Sequence, residues 1–188
     1  MTARVGIKEP GRIVNDSPYI AWSADGSGFT TTAAAYREFV QAARLRPLVA
    51  AQLRRLRQGA DLIAVGAFIR TAYFDATVPV AVADAISDAY LRLGGDAVEL
   101  VVGGAAGDPL VEFLTGPQEV FVHVRGSHTL LSACKRCWAS LFTDRAIIYR
   151  EVRDVEQLSV DRSVNVRPIE ASDLAPETSG ELVAAASS

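Results

Sequence analysis

The chain has 188 residues, 49% of them hydrophobic and 22% charged, with a formal net charge of −3; this is the balance of one globular domain that can bury a core. With a sequence pI near 5.4 there is no basic footprint, so neither nucleic acid nor an anionic membrane is an expected partner. Its apolar stretches, such as residues 62–69, fall short of the roughly 20 residues that cross a bilayer, the first residues show no apolar signal core, and Cys134 and Cys137 are too few for a disulfide framework, so a soluble cytoplasmic protein is expected.

Residues 1–28 mix Gly, Pro, Asp and Ser around Tyr19, Ile20 and Trp22, and read as loops with one short strand. Thr30, Thr31 and Thr32 offer N-caps for a helix over residues 33–43 that ends before Pro47. A second helix is expected over 47–58, with Leu48, Leu53 and Leu56 on one face and Gly59 as its stop. Asp61 caps a third, over 62–74. Pro79 opens a fourth, in which Val82, Ile86, Ala89, Tyr90 and Leu93 repeat at helical spacing until Gly94-Gly95. The texture then changes. Residues 98–102 read as an apolar strand, 103–107 as a Gly-rich turn and 119–124 as a second strand rich in β-formers. Ser127 is the expected cap of a helix through Phe142, residues 144–150 continue as helix, and the alternation in SVDRSVNV places a third strand within 159–169. The Ala/Ser/Glu-rich end, 175–188, is expected to be a disordered tail, which leaves 1–174 as the domain. Helices first, then strands interleaved with helices, make this an α/β chain in the broad sense and α+β in arrangement.

Few residues suggest chemistry on their own. A Gly-rich turn after a strand, with Gly103 and Gly104 at its start, can cradle a phosphate through backbone N–H groups, but no Lys-Ser/Thr pair follows as in a P-loop; an ordinary tight turn is the commoner use. Cys134 and Cys137 have CxxC spacing inside a predicted helix with no second ligand pair, and read as core. His123 and His128 do not make a metal pair, and Glu112 and Glu119 are not read as an acid–base couple. Arg54, Arg55 and Arg57 read as a solvated helix face. No catalytic residue and no metal site is assigned.

The most informative stretch is 122–150, VHVRGSHTLLSACKRCWASLFTDRAIIYR. It resembles the block "LNVRG…LL.A.R.CWASLWTDRA..YR" of phosphoenolpyruvate synthases, pyruvate phosphate dikinases and rifampicin phosphotransferases. Gly28-Phe29 with Thr31-Thr32 and Ala35-Tyr36-Arg37-Glu38-Phe39 is similar to the same family's "PPGFVVTTAAYREF". Ile69-Arg70, Pro79, Ala89-Tyr90 and Leu93-Gly94-Gly95 follow its "IRE…P…I..AY..LG". The resemblance covers about 28–175 and implies the front part of an ATP-grasp-like domain, which in the family clamps ATP and magnesium and passes a phosphoryl group to a His on a swivelling domain.

The departures concern the parts that grip phosphate. The family's "VRSSATAEDLP..SFAGQ.ET" aligns on residues 100–120, so that its phosphate-gripping Arg falls on Val101, its two Ser on Val102 and Gly103, and its Glu on Gly107, while Asp108 and Gly116 are kept. A valine cannot supply the charge-assisted contact of an arginine, worth about 1.5–3 kcal/mol. Lys8 in Gly6-Ile7-Lys8 is the nearest remnant of the family's "GGKG" lysine, and Ile169-Glu170 stand where its main-chain hinge meets adenine. The resemblance therefore makes Lys8, Gly103, Gly104, Gly116, Ile169 and Glu170 the candidate ATP-binding residues. The family's magnesium carboxylates and phosphohistidine domain find no counterpart in these residues, so Mg2+ is expected only if a partner chain supplies ligands. Three functions follow from this reading: a degenerate ATP-binding lobe that binds nucleotide weakly or serves as a non-catalytic partner, the ATP-binding subunit of a split phosphotransferase completed by a second chain, or a decayed remnant without activity.

Overall fold

The structure is a computed structural model that describes residues 17–105 and 119–174. Lys8, Glu112, Gly116 and the 175–188 tail lie outside the described residues. The elements run β1 (Ile20–Trp22), β2 (Phe29–Thr31), α1 (Ala33–Ala42), α2 (Leu45–Arg57), α3 (Leu62–Asp75), α4 (Val80–Arg92), β3 (Leu100–Gly104), β4 (Val120–Val124), α5 (Ser127–Ala139), α6 (Asp144–Val152) and β5 (Val164–Pro168). This is a mixed α+β fold, as the residue pattern predicts. The strands form one antiparallel sheet in the order β1-β2-β5-β3-β4.

Local chemistry sets the helix ends. Thr32 accepts the Ala35 N–H at the start of α1, Asp61 accepts the Ala64 N–H at 2.8 Å before α3, and Thr143 accepts the Ala146 N–H before α6. Helix α2 begins two residues earlier than the proline suggests, at Leu45. Pro47 sits in its first turn, where a missing N–H costs nothing. The same helix ends on Gly59, at φ +93°, with Gly59 N–H bonded to Leu56 O at 2.9 Å and Ala60 N–H to Arg55 O at 3.0 Å, the paired bonds of a Schellman stop. Ser127 is not a cap: Gly126, at φ +86°, takes that position and donates its N–H to Tyr90 Oη at 2.9 Å. Positive φ there favours the one residue without a Cβ.

Helix α5 is the centre of the packing. One side lies on β3, β4 and β5 and the other on α3 and α4, so Leu130, Ala133, Cys134, Cys137, Trp138 and Ala139 are all buried. These buried positions wrap too far round the helix for a single amphipathic stripe, and Leu131 is half-buried. Trp138 is fully buried, with its ring 4.9 Å from Phe39 and 6.3 Å from Tyr36. Both cysteines are core residues, and burial pushes the Cys137 thiol up to about 12 and raises Cys134 as well. The TDR…YR part of the sequence block is structural. Arg70 bonds both Phe142 O at 2.7 Å and Asp144 at 3.0 Å, tying α3 to α6. Arg150 is buried, donates to Leu141 O and to Gln157 Oε1, and stacks over Phe142. Beside it Tyr36 and Tyr73 share a hydrogen bond of 3.0 Å, and burial pushes Tyr36 up to about 12. No single helix among the described residues is long and apolar enough to cross a membrane.

Candidate functional site

The sheet has one face in the core and one turned away from it, and Val101 and Gly103 fall on the second. In β3, Leu100 and Val102 point into the core cluster, so Val101 and Gly103 take the opposite face. The ladder sets Val101 against Arg167 and Gly103 against Asn165 on β5. On the other side Gly103 pairs with Val120 of β4. Between these pairs the β3–β4 register slips by one residue, and His123 has φ +57°, the mark of a bulge. The bulge turns both Phe121 and Val124 towards the core although they are an odd number of positions apart, at i and i+3, which uninterrupted alternation in EVFVHV does not allow.

Gly103 and Gly104 correct the sequence expectation. They continue β3 as paired residues, Gly104 opposite Val164, and the chain leaves the sheet only after Ala105, whose N–H bonds Ser163 O at 3.0 Å. The turn reading failed because glycine occurs in both turns and strands, and Gly103 and Gly104 are held extended by their pairing with β5. Strand β5 likewise starts later than the alternation in SVDRSVNV suggests, at Val164. The inward phase is right, since Arg162, Val164 and Val166 are all buried.

Ile169 and Glu170 follow β5 directly. The Ile169 N–H bonds Glu99 O at 2.9 Å, which carries the β3–β5 pairing one step further, and the Glu170 N–H bonds Asp173 Oδ2 at 2.8 Å. Asp173 also receives both guanidinium ends of Arg167, at 2.7 Å and 2.6 Å. This clamp folds the short 3₁₀ turn Ala171–Leu174 back against β5. Hydrogen bonding from Arg167, helped by the Glu170 amide, holds the Asp173 carboxyl down at about 2. A second polar group lies along the same edge: Glu99 accepts from His123 Nδ1 at 2.6 Å and Arg125 at 3.0 Å, and these partners lower its pKa. Residue types alone did not single out Arg167, Asp173 or Glu99. The alternating phase of β5 places Arg167 on the outer face, but its pairing with Asp173 depends on the turn that follows.

The Asp173 clamp has a pH signature. A carboxyl lowered in the folded state stabilises above the unfolded carboxylate value near ~3.9 and loses that contribution as pH falls towards about 2. Protection of the Glu170 amide from hydrogen exchange is therefore expected to decline between about pH 4 and pH 2, and Asp173→Asn is expected to give the same loss at neutral pH. Unchanged protection in the variant contradicts the assignment.

The face as described is a neutral ladder of small residues beside a self-paired arginine. Val101 is 7% exposed, and among the described residues no group of three His, Cys, Asp or Glu could hold a metal ion. On this face Asn165 is exposed and Gly103 half-buried. At Val101 the face offers no charge to a triphosphate.

Comparison with known proteins places this geometry in a family. The pyruvate phosphate dikinase, AMP/ATP-binding domain family matches residues 25–185. The chain belongs to this family. Within it, the chain is 36% identical to a phosphoenolpyruvate synthase of Deinococcus radiodurans over 78% of its own length and 19% of the relative's. It is 36% identical to a phosphoenolpyruvate synthase of Synechocystis over 82% of its length and 20% of the relative's, and 32% identical to a rifampicin phosphotransferase of Streptomyces sviceus over 85% and 18%. The chain thus spans about a fifth of the length of these curated relatives. As a member of the pyruvate phosphate dikinase ATP-binding family it is homologous to part of their nucleotide-binding domain.

Proposed function

We propose that this chain is a degenerate ATP-binding lobe, a weak nucleotide binder or non-catalytic partner that does not transfer phosphate by itself. One observation carries the reading. The position that matches the phosphate-gripping arginine is Val101, nearly buried at 7% exposure, and the cation opposite it, Arg167, is already held by Asp173 through two hydrogen bonds. Phosphoryl transfer depends on positioned charge around the moving group, and a valine supplies none. Weak binding in this reading rests on family membership and on main-chain groups beside β5, such as the backbone of Ile169 and Glu170, which do not need the lost arginine. Magnesium enters this reading only through ligands on a partner chain. A split phosphotransferase, in which a second polypeptide carries a further lobe and a phosphohistidine domain, is the enzymatic version of the same proposal.

The purified chain is expected to show no ATP-dependent phosphorylation of itself or of pyruvate, measured by transfer of labelled γ-phosphate. Sustained transfer that disappears on substitution of a residue named here overturns the proposal.

A further inference from the structure

We propose that Arg167 is this chain's contact for the polyphosphate of a nucleotide, and that Asp173 holds it latent. The inference deepens the degenerate-lobe reading and rests on it, because the outer strand face must still be where nucleotide binds. In the β3–β5 ladder Arg167 stands directly opposite Val101, the position that matches the lost phosphate-gripping arginine. Cross-strand neighbours project from the same face with Cβ atoms roughly 5 Å apart, so a guanidinium on β5 covers the patch that one on β3 would serve. Among the outward positions Thr30, Asn165, Arg167, Val101 and Gly103, Arg167 carries the only charge. The neighbouring cation along this edge, Arg125, is bound by Glu99 at 3.0 Å.

The contact with Asp173 has the form of a latch. Arg167 donates from both ends of its guanidinium to the Asp173 carboxylate, yet the two side chains stay 37% and 14% exposed. A soluble anion therefore reaches the arginine without the core opening. Asp173 sits on the 3₁₀ turn Ala171–Leu174, in which Ala171 and Ser172 are exposed. Among the described residues the hydrogen bonds of this turn run only to Arg167 and Glu170. A single carboxylate thus ties the turn to β5. The planar fork that takes two carboxylate oxygens takes two phosphate oxygens equally well, so the clamped arginine is already arranged for an oxyanion. In the wild type Asp173 competes from within the same chain, at an effective concentration that a free nucleotide does not match. Binding of the triphosphate is weak for that reason as well as for the loss at Val101. A nucleoside gains nothing from the cation, so release of the latch favours the phosphorylated ligand alone.

The test titrates the full chain with ATP and with adenosine, without magnesium and at one salt, as wild type, Asp173→Asn, Asp173→Ala and Asp173→Ala/Arg167→Gln. Asp173→Asn keeps an amide oxygen that can hold Arg167 through a neutral hydrogen bond, so the alanine variant carries the decision. Asp173→Ala is expected to tighten ATP about tenfold, the lower end for one charge-assisted contact at a partly exposed site, and to leave adenosine unchanged. The gain is expected to shrink as salt rises from about 50 to about 300 mM, and to vanish when Arg167→Gln is added. A clamp that only tethers the turn would alter Glu170 amide exchange and leave the ratio of ATP to adenosine affinity where it was. That outcome overturns the proposal, as does a gain that survives Arg167→Gln. Weak wild-type binding with no gain in Asp173→Ala refutes the latch and leaves the degenerate-lobe reading standing. Low-micromolar binding of ATP by the wild type refutes both, since no latch is then in force.

Discussion

Trp138→Ala is expected to cost about 3–5 kcal/mol, the range for removing a large aromatic from a filled core. The side chain is fully buried on α5, where the helix meets the sheet and α3 together, and it touches two aromatic rings from α1. No neighbouring element can close the space without moving another, because α5 is flanked on both sides. For a chain of this length the loss corresponds to a fall in thermal midpoint of roughly 10 °C. Among the described residues its indole N–H has no hydrogen-bond partner, so the replacement gives up packing and strands none of them. Trp138→Phe is expected to recover more than half of the loss. A midpoint within about 1 °C of wild type for the alanine variant would contradict a core role.

The helical half of the fold was legible because its signals are local. Thr32, Asp61 and Gly59 act within one turn of chain, and each sets the helix end that its residue type suggests. The errors arose where distant contacts decide. Glycines at 103 and 104 looked like a turn, but β5, some sixty residues later in the chain, pairs with them and keeps them extended. The bulge at His123 cannot be read from EVFVHV, since it exists to bring Phe121 and Val124 to one face of a sheet whose partners lie elsewhere. Of the candidate site, the apolar character of residues 100–102 did point to burial at Val101 and Val102. What the sequence could not show is that Arg167 lies in register with Val101 and is clamped by Asp173. That pair depends on strand order and on the 3₁₀ turn that follows β5.

Val101→Arg separates a decayed ATP site from a repacked one. At 7% exposure, with Arg167 as its cross-strand neighbour, Val101 is a poor place for a second guanidinium. The new charge would lose water, meet a like charge, and find Asp173 already occupied. We expect a loss of stability on the order of 3 kcal/mol and no gain in ATP affinity. Were the face an intact pocket lacking only its cation, the same substitution would leave the midpoint unchanged and tighten ATP roughly ten- to hundredfold, the worth of one charge-assisted contact. The thermal midpoint and the ATP affinity must be measured on the same samples at the same salt, since either alone is open to both readings.

The most direct measurement is a calorimetric titration of the wild-type chain with ATP, repeated with magnesium. An ungripped triphosphate leaves only the base and ribose to bind, so the dissociation constant is expected at about 1 mM or weaker, with no improvement from the metal. Saturable binding in the low micromolar range, strengthened by magnesium, would contradict the account, because it would require phosphate and metal ligands that the described residues around Val101 do not supply.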